Sequence, residues 1–280
     1  MIRIGFLKLG NIATAPMIEL LLDERAERED IEVKVITTGA NMSPDQAEAA
    51  AKTLLGLGPQ LIFITSPNAS TPGPSKAREI TSAAGVPTVV VSDGPRRISE
   101  ELAKKGMGSI IVEADSMIGA RREYLDPVEM ALFNSDVIKV LAVTGAYSVL
   151  TRTIDGLIGA LKEGNKPEMP SLVVDSTMAT DAAEFKNPYA KAKAYAAYEI
   201  ARRVSSITTE ACFRVKEWEV YTAMCAAAHE MMRIAAKLSD EAREIEKEGD
   251  SVLRKPHHKE GAILTKRSLI EKPKASGETR

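Results

Sequence analysis

The strongest constraint on this chain is an alternation in its first 113 residues. Short apolar runs, Ile2–Leu7, Glu32–Thr37, Gln60–Thr65, Thr88–Ser92 and Ser109–Glu113, are separated by amphipathic stretches, Pro16–Ala26, Pro44–Leu55, Gly73–Ala84 and Ile98–Lys105. Short β-branched runs read as buried strands, and the longer stretches of helical period read as helices. Strand and helix in succession build a parallel sheet through right-handed crossovers. In such sheets ligands sit beyond the carboxyl ends of the strands, beside the point where strand order reverses. The expected fold class is therefore α/β, with an N-terminal parallel sheet flanked by helices.

The second half changes character. Asp126-Pro127-Val128-Glu129 is a helix start, with Asp as N-cap, Pro at the first position and Glu three residues after the cap. Helical patterns follow over Met130–Val140 and Tyr147–Glu163, and Ser171–Asp175 reads as a further strand. Asn187-Pro188 opens a long helix through Ser205, and another runs from Trp218 to Lys247. The alanine-rich stretch Tyr189–Ala201 gives a thin helix suited to close packing in a bundle or between subunits. After Asp250 the periodicity ends. Ala262–Thr265 and Ser268–Ile270 are expected to pair as a small hairpin, and Lys272–Arg280 reads as a polar tail. Three parts result: an α/β ligand-binding domain over 1–125, a mainly helical bundle region over 126–250, and a small C-terminal β segment and tail over 251–280.

Composition excludes several classes. A net charge of -2 gives no broad electrostatic footprint for nucleic acid, and aromatics at 4% offer little for base stacking. Cys212 and Cys225 match no metal-ligand spacing and make no disulfide framework, which suits a reducing compartment. No apolar run approaches the roughly 20 residues of a membrane span, and no leader pattern precedes the first strand. The expectation is a cytoplasmic protein without metal or membrane partner.

Familiar motifs are missing. The loop after the first strand has Gly5 and Gly10 but lacks the spacing and third glycine of a dinucleotide fingerprint. No phosphate loop is present, and the three histidines offer little for a triad. Polar, turn-forming groups instead follow every strand: Lys8-Leu9-Gly10-Asn11, Thr37 to Met42, Ser66 to Pro74, Ser92-Asp93-Gly94-Pro95, and Asp115 to Glu123. Any one such loop needs Gly, Pro, Asn and Asp simply to turn. Five converging on one sheet edge make a pocket. Pro67, Pro72 and Pro74 stiffen the third loop, leaving Ser66 and Asn68 to form either a pocket wall or a rigid surface turn. Arg121-Arg122 is either a fork for phosphate or carboxylate, or a partner of Glu123, Asp126 or Glu129. His229 lacks a second histidine one turn on and reads as a packing residue, the cysteines as small buried hydrophobes, and His257-His258 as part of the tail region.

Long segments of the chain resemble one family. Lys8 to Ile12 with Ile18 to Ala26, Met117 to Asn134, Asn187 to Ala194 and Ala228 to Arg233 are similar to the archaeal coenzyme F420-dependent methylenetetrahydromethanopterin dehydrogenases, and the likeness runs to Lys266-Arg267. Thr14-Ala15, Ala69 and Gly94 depart from the family's usual residues without removing an essential group. The resemblance implies coenzyme F420 as cofactor. It implies reversible hydride transfer to methenyl-tetrahydromethanopterin, giving the methylene form, in methanogenesis or archaeal one-carbon metabolism. It also implies a homohexamer built as a trimer of dimers. The acceptor is an amidinium-like cation, so no acid–base residue is expected. Lys8, Gly10, Asn11, Ser66, Pro67, Asn68, Asp93, Gly94 and Pro95 are assigned to the deazaflavin side, and Met117, Ile118, Gly119, Arg121, Arg122, Glu123 and Asn134 to the pterin side. The loops alone also permit an F420-dependent reductase of another small substrate, or a non-catalytic phosphate-ligand-binding module.

Overall fold

The computed structural model describes residues 1–24 and 27–275. The first half runs β1 (Ile2–Lys8), α1 (Thr14–Leu22), β2 (Ile31–Thr37), α2 (Pro44–Gly56), β3 (Leu61–Thr65), α3 (Pro72–Ala83), β4 (Thr88–Ser92), α4 (Ile98–Lys104) and β5 (Gly108–Val112). The second half runs α5 (Pro127–Thr144), α6 (Ala146–Lys162), β6 (Ser171–Val174), α7 (Ser176–Ala183), α8 (Pro188–Phe213), α9 (Trp218–Glu248), β7 (Leu264–Thr265) and β8 (Lys274–Ala275). The expected helix Pro16–Ala26 stops at Leu22, and its Arg25-Ala26 end lies outside the described residues.

Six strands pair in parallel in the order β2-β1-β3-β4-β5-β6. The chain steps outward from β1 to β2, then returns to build β3 onward on the other side. The strand order therefore reverses between β1 and β3, which places the expected crevice there. All residues of β3, β4 and β5 are buried. Period-two alternation divides them between two layers. Ile4, Phe6, Leu61, Phe63, Val89, Val91, Ile110 and Val112 pack with α1, α5, α6 and α8. Leu7, Ile62 and Ile64 pack on α2 and α3, while Val90 and Ile111 pack on α4. Both faces are covered, which explains why these strands read as continuous apolar runs.

The helix starts follow the local chemistry. Asp126 accepts the Glu129 N–H at 2.8 Å and Asn187 accepts the Tyr189 N–H at 2.8 Å, each ahead of a proline in the first helical position. Helix α8 extends eight residues past the expected end at Ser205, to Phe213. Five of its seven alanines, Ala190, Ala194, Ala197, Ala201 and Ala211, are fully buried, while Ala192 and Ala196 are exposed. Between α5 and α6 the chain turns through 71° at Gly145. That residue has φ +104, and a Cβ there would stand 2.0 Å from the Ala179 carbonyl oxygen, so no other residue fits. Among the described residues no single helix is long and apolar enough to cross a membrane.

The C-terminal part corrects two expectations. Ser268–Ile270 is not a hairpin strand. Leu264–Thr265 pairs with Lys274–Ala275, and bridges join Arg254 to Lys266 and His257 to Ile263. Two-residue strands carry no readable period. His257 is not in a loose tail either. It is 1% exposed, with Nδ1 2.5 Å from Glu24 Oε2 and Nε2 3.0 Å from both carboxylate oxygens of Asp155. The segment after α9 is thereby bound to α6 and to the residues following α1. The Ser276–Arg280 part of the predicted tail lies outside the described residues.

Candidate functional site

Beyond the carboxyl end of β1, the loop and the first turns of α5 enclose a cleft of about 360 Å³. Lys8, Gly10 and Asn11 line one wall with Ile12, Ala15 and Pro16, and Pro127, Met130, Ala131 and Asn134 line the other. Four residues singled out from sequence, on segments more than a hundred residues apart, thus face one space. Lys8 is held at the rim by an ion pair with Glu19, Nζ to Oε2 2.9 Å. Asn11 is exposed, and the Asn134 amide donates to the Met130 carbonyl oxygen at 2.7 Å.

Gly10 sits at the junction of three loops. It has φ +77, and its N–H donates to the Gly39 carbonyl oxygen at 2.9 Å. A Cβ there would lie 2.5 Å from Met42 Sδ and 3.1 Å from Pro67 Cδ. Glycine is required by loop packing at this point.

The loops after β3 and β4 form one hydrogen-bonded unit. The Asn68 N–H donates to Asp93 Oδ1 at 2.7 Å, the Ala69 N–H to the Gly94 carbonyl oxygen at 3.0 Å, and the Ser92 hydroxyl to the Ser66 carbonyl oxygen at 2.7 Å. Asn68 adopts φ +40, a left-handed conformation that asparagine tolerates better than most residues. Pro67 is buried and Pro95 is half-buried. Burial lifts the Asp93 carboxyl to about 6 despite the donors on it. Among the described residues the buried hydroxyls of Thr65 and Ser66 have no hydrogen-bond partner.

Asp115 heads the loop named after the fifth strand but was not assigned to the site; it stands three residues past the end of β5. It is fully buried and accepts the N–H groups of Ala13 and Thr14, both at 2.9 Å, at the start of α1. A carboxylate there satisfies donors that a helix start leaves unpaired. It ties the end of the cleft-lining loop to the loop that follows β5. Burial lifts this carboxyl to about 7, with the charge of Asp93 adding to the rise.

None of the residues 117–123 lines this cleft, and Gly119 and Arg121 lie against α9 and α8. Ile118 is buried and Met117 half-buried. Gly119 lies against Cys225, where a Cβ would come 2.8 Å from Sγ. Arg121 does not pair with Glu123, Asp126 or Glu129. Its guanidinium donates to the Ala211 carbonyl oxygen at 3.2 and 3.0 Å and to that of Val215 at 3.2 Å, and it lies 4.2 Å over the Tyr221 ring. It therefore closes the carboxyl end of α8. Arg122 and Glu123 are exposed. Cys225 is buried as expected, but Cys212 is only partly so.

Comparison with known proteins bears on this arrangement. Residues 2–274 match the model of the methylene-5,6,7,8-tetrahydromethanopterin dehydrogenase family. The F420-dependent methylenetetrahydromethanopterin dehydrogenase of Methanothermobacter marburgensis is 53% identical over 273 residues, covering 97% of this chain and 99% of the relative. That of Archaeoglobus fulgidus is 53% identical with the same coverage. A solved F420-dependent methylene-tetrahydromethanopterin dehydrogenase, in complex with methylene-tetrahydromethanopterin and coenzyme F420, superposes with a TM-score of 0.95 at 45% identity, covering 98% of this chain and all of that one. The chain therefore belongs to the F420-dependent methylenetetrahydromethanopterin dehydrogenase family.

Proposed function

We propose that this enzyme moves a hydride reversibly between reduced coenzyme F420 and methenyl-tetrahydromethanopterin, giving methylene-tetrahydromethanopterin, in the crevice at the β1/β3 reversal. The observation that carries the reading is the single cleft shared by the β1 loop and α5 in a chain of this family. The strand ends suit a flat heteroaromatic group. Ser66 and Thr65 offer buried hydroxyls without protein partners, and a Cβ built on Gly94 meets nothing within 4 Å. Coenzyme F420, when bound, supplies the ring carbon that gives or takes the hydride.

The protein's part is orientation and exclusion of water. Lys8, Gly10, Asn11, Ser66, Pro67, Asn68, Asp93, Gly94 and Pro95 form the side assigned to the deazaflavin. Asn134 and the α5 face form the side assigned to the pterin, together with Met117, Ile118 and Gly119. The hydride acceptor is a carbocation stabilised by its own nitrogens, so the transfer needs no proton from the protein at that carbon. Lys8 at the rim and the exposed Arg122 supply positive charge for anionic substituents. Association into a homohexamer and residence in the cytoplasm belong to the same proposal; sedimentation velocity tests the former.

The test is direct. The protein is mixed anoxically with reduced F420 and methenyl-tetrahydromethanopterin while deazaflavin absorbance is followed. Absorbance of the oxidised deazaflavin appears if the reading is right, and nicotinamide cofactors do not substitute. Binding of both compounds without turnover refutes it. Asn68→Ala and Arg122→Ala each raise KM or lower kcat, and unchanged kinetics in both removes these residues from the site.

A further inference from the structure

The capping box at α5 is only half closed. Asp126 accepts the Glu129 N–H, but the Glu129 carboxylate does not return to the cap. Its Oε1 accepts the Tyr124 hydroxyl at 3.0 Å and lies 2.8 Å from Nδ1 of His229, on α9. His229 is 5% exposed. Its ring stacks on Phe133 at 4.1 Å between centroids and 28° between planes, and meets Tyr124 edge-on at 4.9 Å. Nε2 is buried without a partner among the described residues, and burial holds the imidazole below its ordinary value. The ring is thus neutral, with its proton on Nδ1 and donated to Glu129.

The position of this cluster matters more than its strength. At 100° per residue, Pro127, Met130, Ala131 and Asn134 point to the cleft, while Glu129 and Phe133 point roughly 130° away. Val128 and Leu132, on a third face, are 66% and 56% exposed. The first two turns of α5 therefore have solvent on one face, the cleft on another, and α9 as their packed support.

We propose that Glu129 and His229 are positioning residues that hold the α5 wall at the distance from the β1 loop that the pterin substrate requires. This rests on the preceding reading of the cleft. It extends that reading to two residues that do not line it.

The experiment separates position from stability. Glu129→Ala and the milder Glu129→Asp, which keeps the charge on a shorter stem, are compared with Glu129→Gln and His229→Asn. Glu129→Gln retains the acceptor at Oε1, and His229→Asn sets an amide donor, Nδ2, in place of Nδ1. Glu246→Ala is the control. Glu246 accepts the Lys186 and Asn187 N–H groups at 2.9 and 2.7 Å, roughly 25 Å along α9 from His229 at 1.5 Å per residue.

The readouts are KM for each substrate and the calorimetric Kd of methylene-tetrahydromethanopterin without F420. For Glu129→Ala and Glu129→Asp, KM and Kd for the pterin rise about tenfold while KM for F420 stays within about twofold, because loss of folded enzyme alone lowers kcat and leaves KM untouched. Glu129→Gln and His229→Asn stay close to wild type. Glu246→Ala melts earlier with KM unchanged. A pterin Kd unaltered in both Glu129→Ala and Glu129→Asp overturns the proposal, as does a Glu129→Gln variant as impaired as Glu129→Ala. An equal KM rise in Glu246→Ala overturns it too. An inert wild type refutes the reading of the cleft instead, and is seen before any variant is made.

Discussion

Replacing His257 with Gln tests how the end of the chain is fastened to its beginning. The imidazole lies between Glu24 and Asp155, and both ring nitrogens face carboxylate oxygens, so each carries a proton and the ring is cationic. Its hydrogen bond to Asp155, followed by that to Glu24, raises its affinity for the proton, against burial and the charge of Arg28. The Asp155 side chain is 10% exposed and that of Glu24 is 29%. Removing the cation leaves two carboxylates facing each other, one of them nearly dry. Breaking a buried pair from one side costs about 3–5 kcal/mol, and the partial exposure of Glu24 puts this site near the lower end, at about 3 kcal/mol. At roughly 2 °C per kcal/mol for a chain of this size, the melting point falls by about 6 °C. The pH dependence has a definite sign. A histidine whose folded value is raised contributes fully below its unfolded value of about 6.5, and the contribution fades as pH climbs through the folded value. The gap between wild type and His257→Gln is therefore widest near pH 6 and narrows toward pH 9. Urea unfolding across that range measures it. A gap below 1 kcal/mol at pH 6, or one that widens with pH, refutes the bridged imidazolium.

Three further substitutions have definite expectations. Asp115→Asn sets an amide N–H against the Ala13 or Thr14 N–H; stability falls by about 1–3 kcal/mol and kcat/KM falls with it, because the loop it holds lines the cleft. Gly10→Ala combines a φ of +77 with a Cβ 2.5 Å from Met42 Sδ, so about 2–3 kcal/mol of stability is lost and both KM values rise in steady-state assays. Arg121→Lys loses the planar fork on the Ala211 and Val215 carbonyls; the melting point drops by several degrees while KM is unchanged, and the reverse pattern shows that this guanidinium reaches a ligand.

The sheet was legible because its strands are buried on both sides and stand out as apolar runs between helical stretches. β3, β4 and β5 lie within a residue of their predicted limits at each end. The helix start at Asp126 was equally plain, since the cap, the proline and the glutamate are neighbours in sequence. Contacts across long separations were not legible. Whether Arg121 binds a ligand or closes α8 depends on a carbonyl 90 residues away. His257 resembled tail because its partners are 102 and 233 residues distant. The short helix α7 was missed; its eight residues follow β6 after a one-residue cap, Asp175, and carry few large apolar side chains. In the site, sequence identified the loops and named four residues of the cleft. It could not separate residues that face the space from those that hold its walls, because Asp115 and Arg121 have the same chemistry as ligand-binding groups.

The crossover from β5 to β6 has a consequence for how such a protein can change. In most sheets of this kind the return path is one helix laid on the sheet, and the strand-end loops alone shape the pocket. Here the return path contains α5 and α6, with a sharp corner at Gly145, before β6 joins the sheet edge. Its opening turns form one wall of the cleft. Backbone pairing in the sheet is indifferent to which side chains occupy positions 130, 131 and 134. A lineage can therefore reshape that wall, residue by residue, while the strand ladder and the opposite loops stay as they are. The shape of that wall can then drift independently of the strand-end loops that face it.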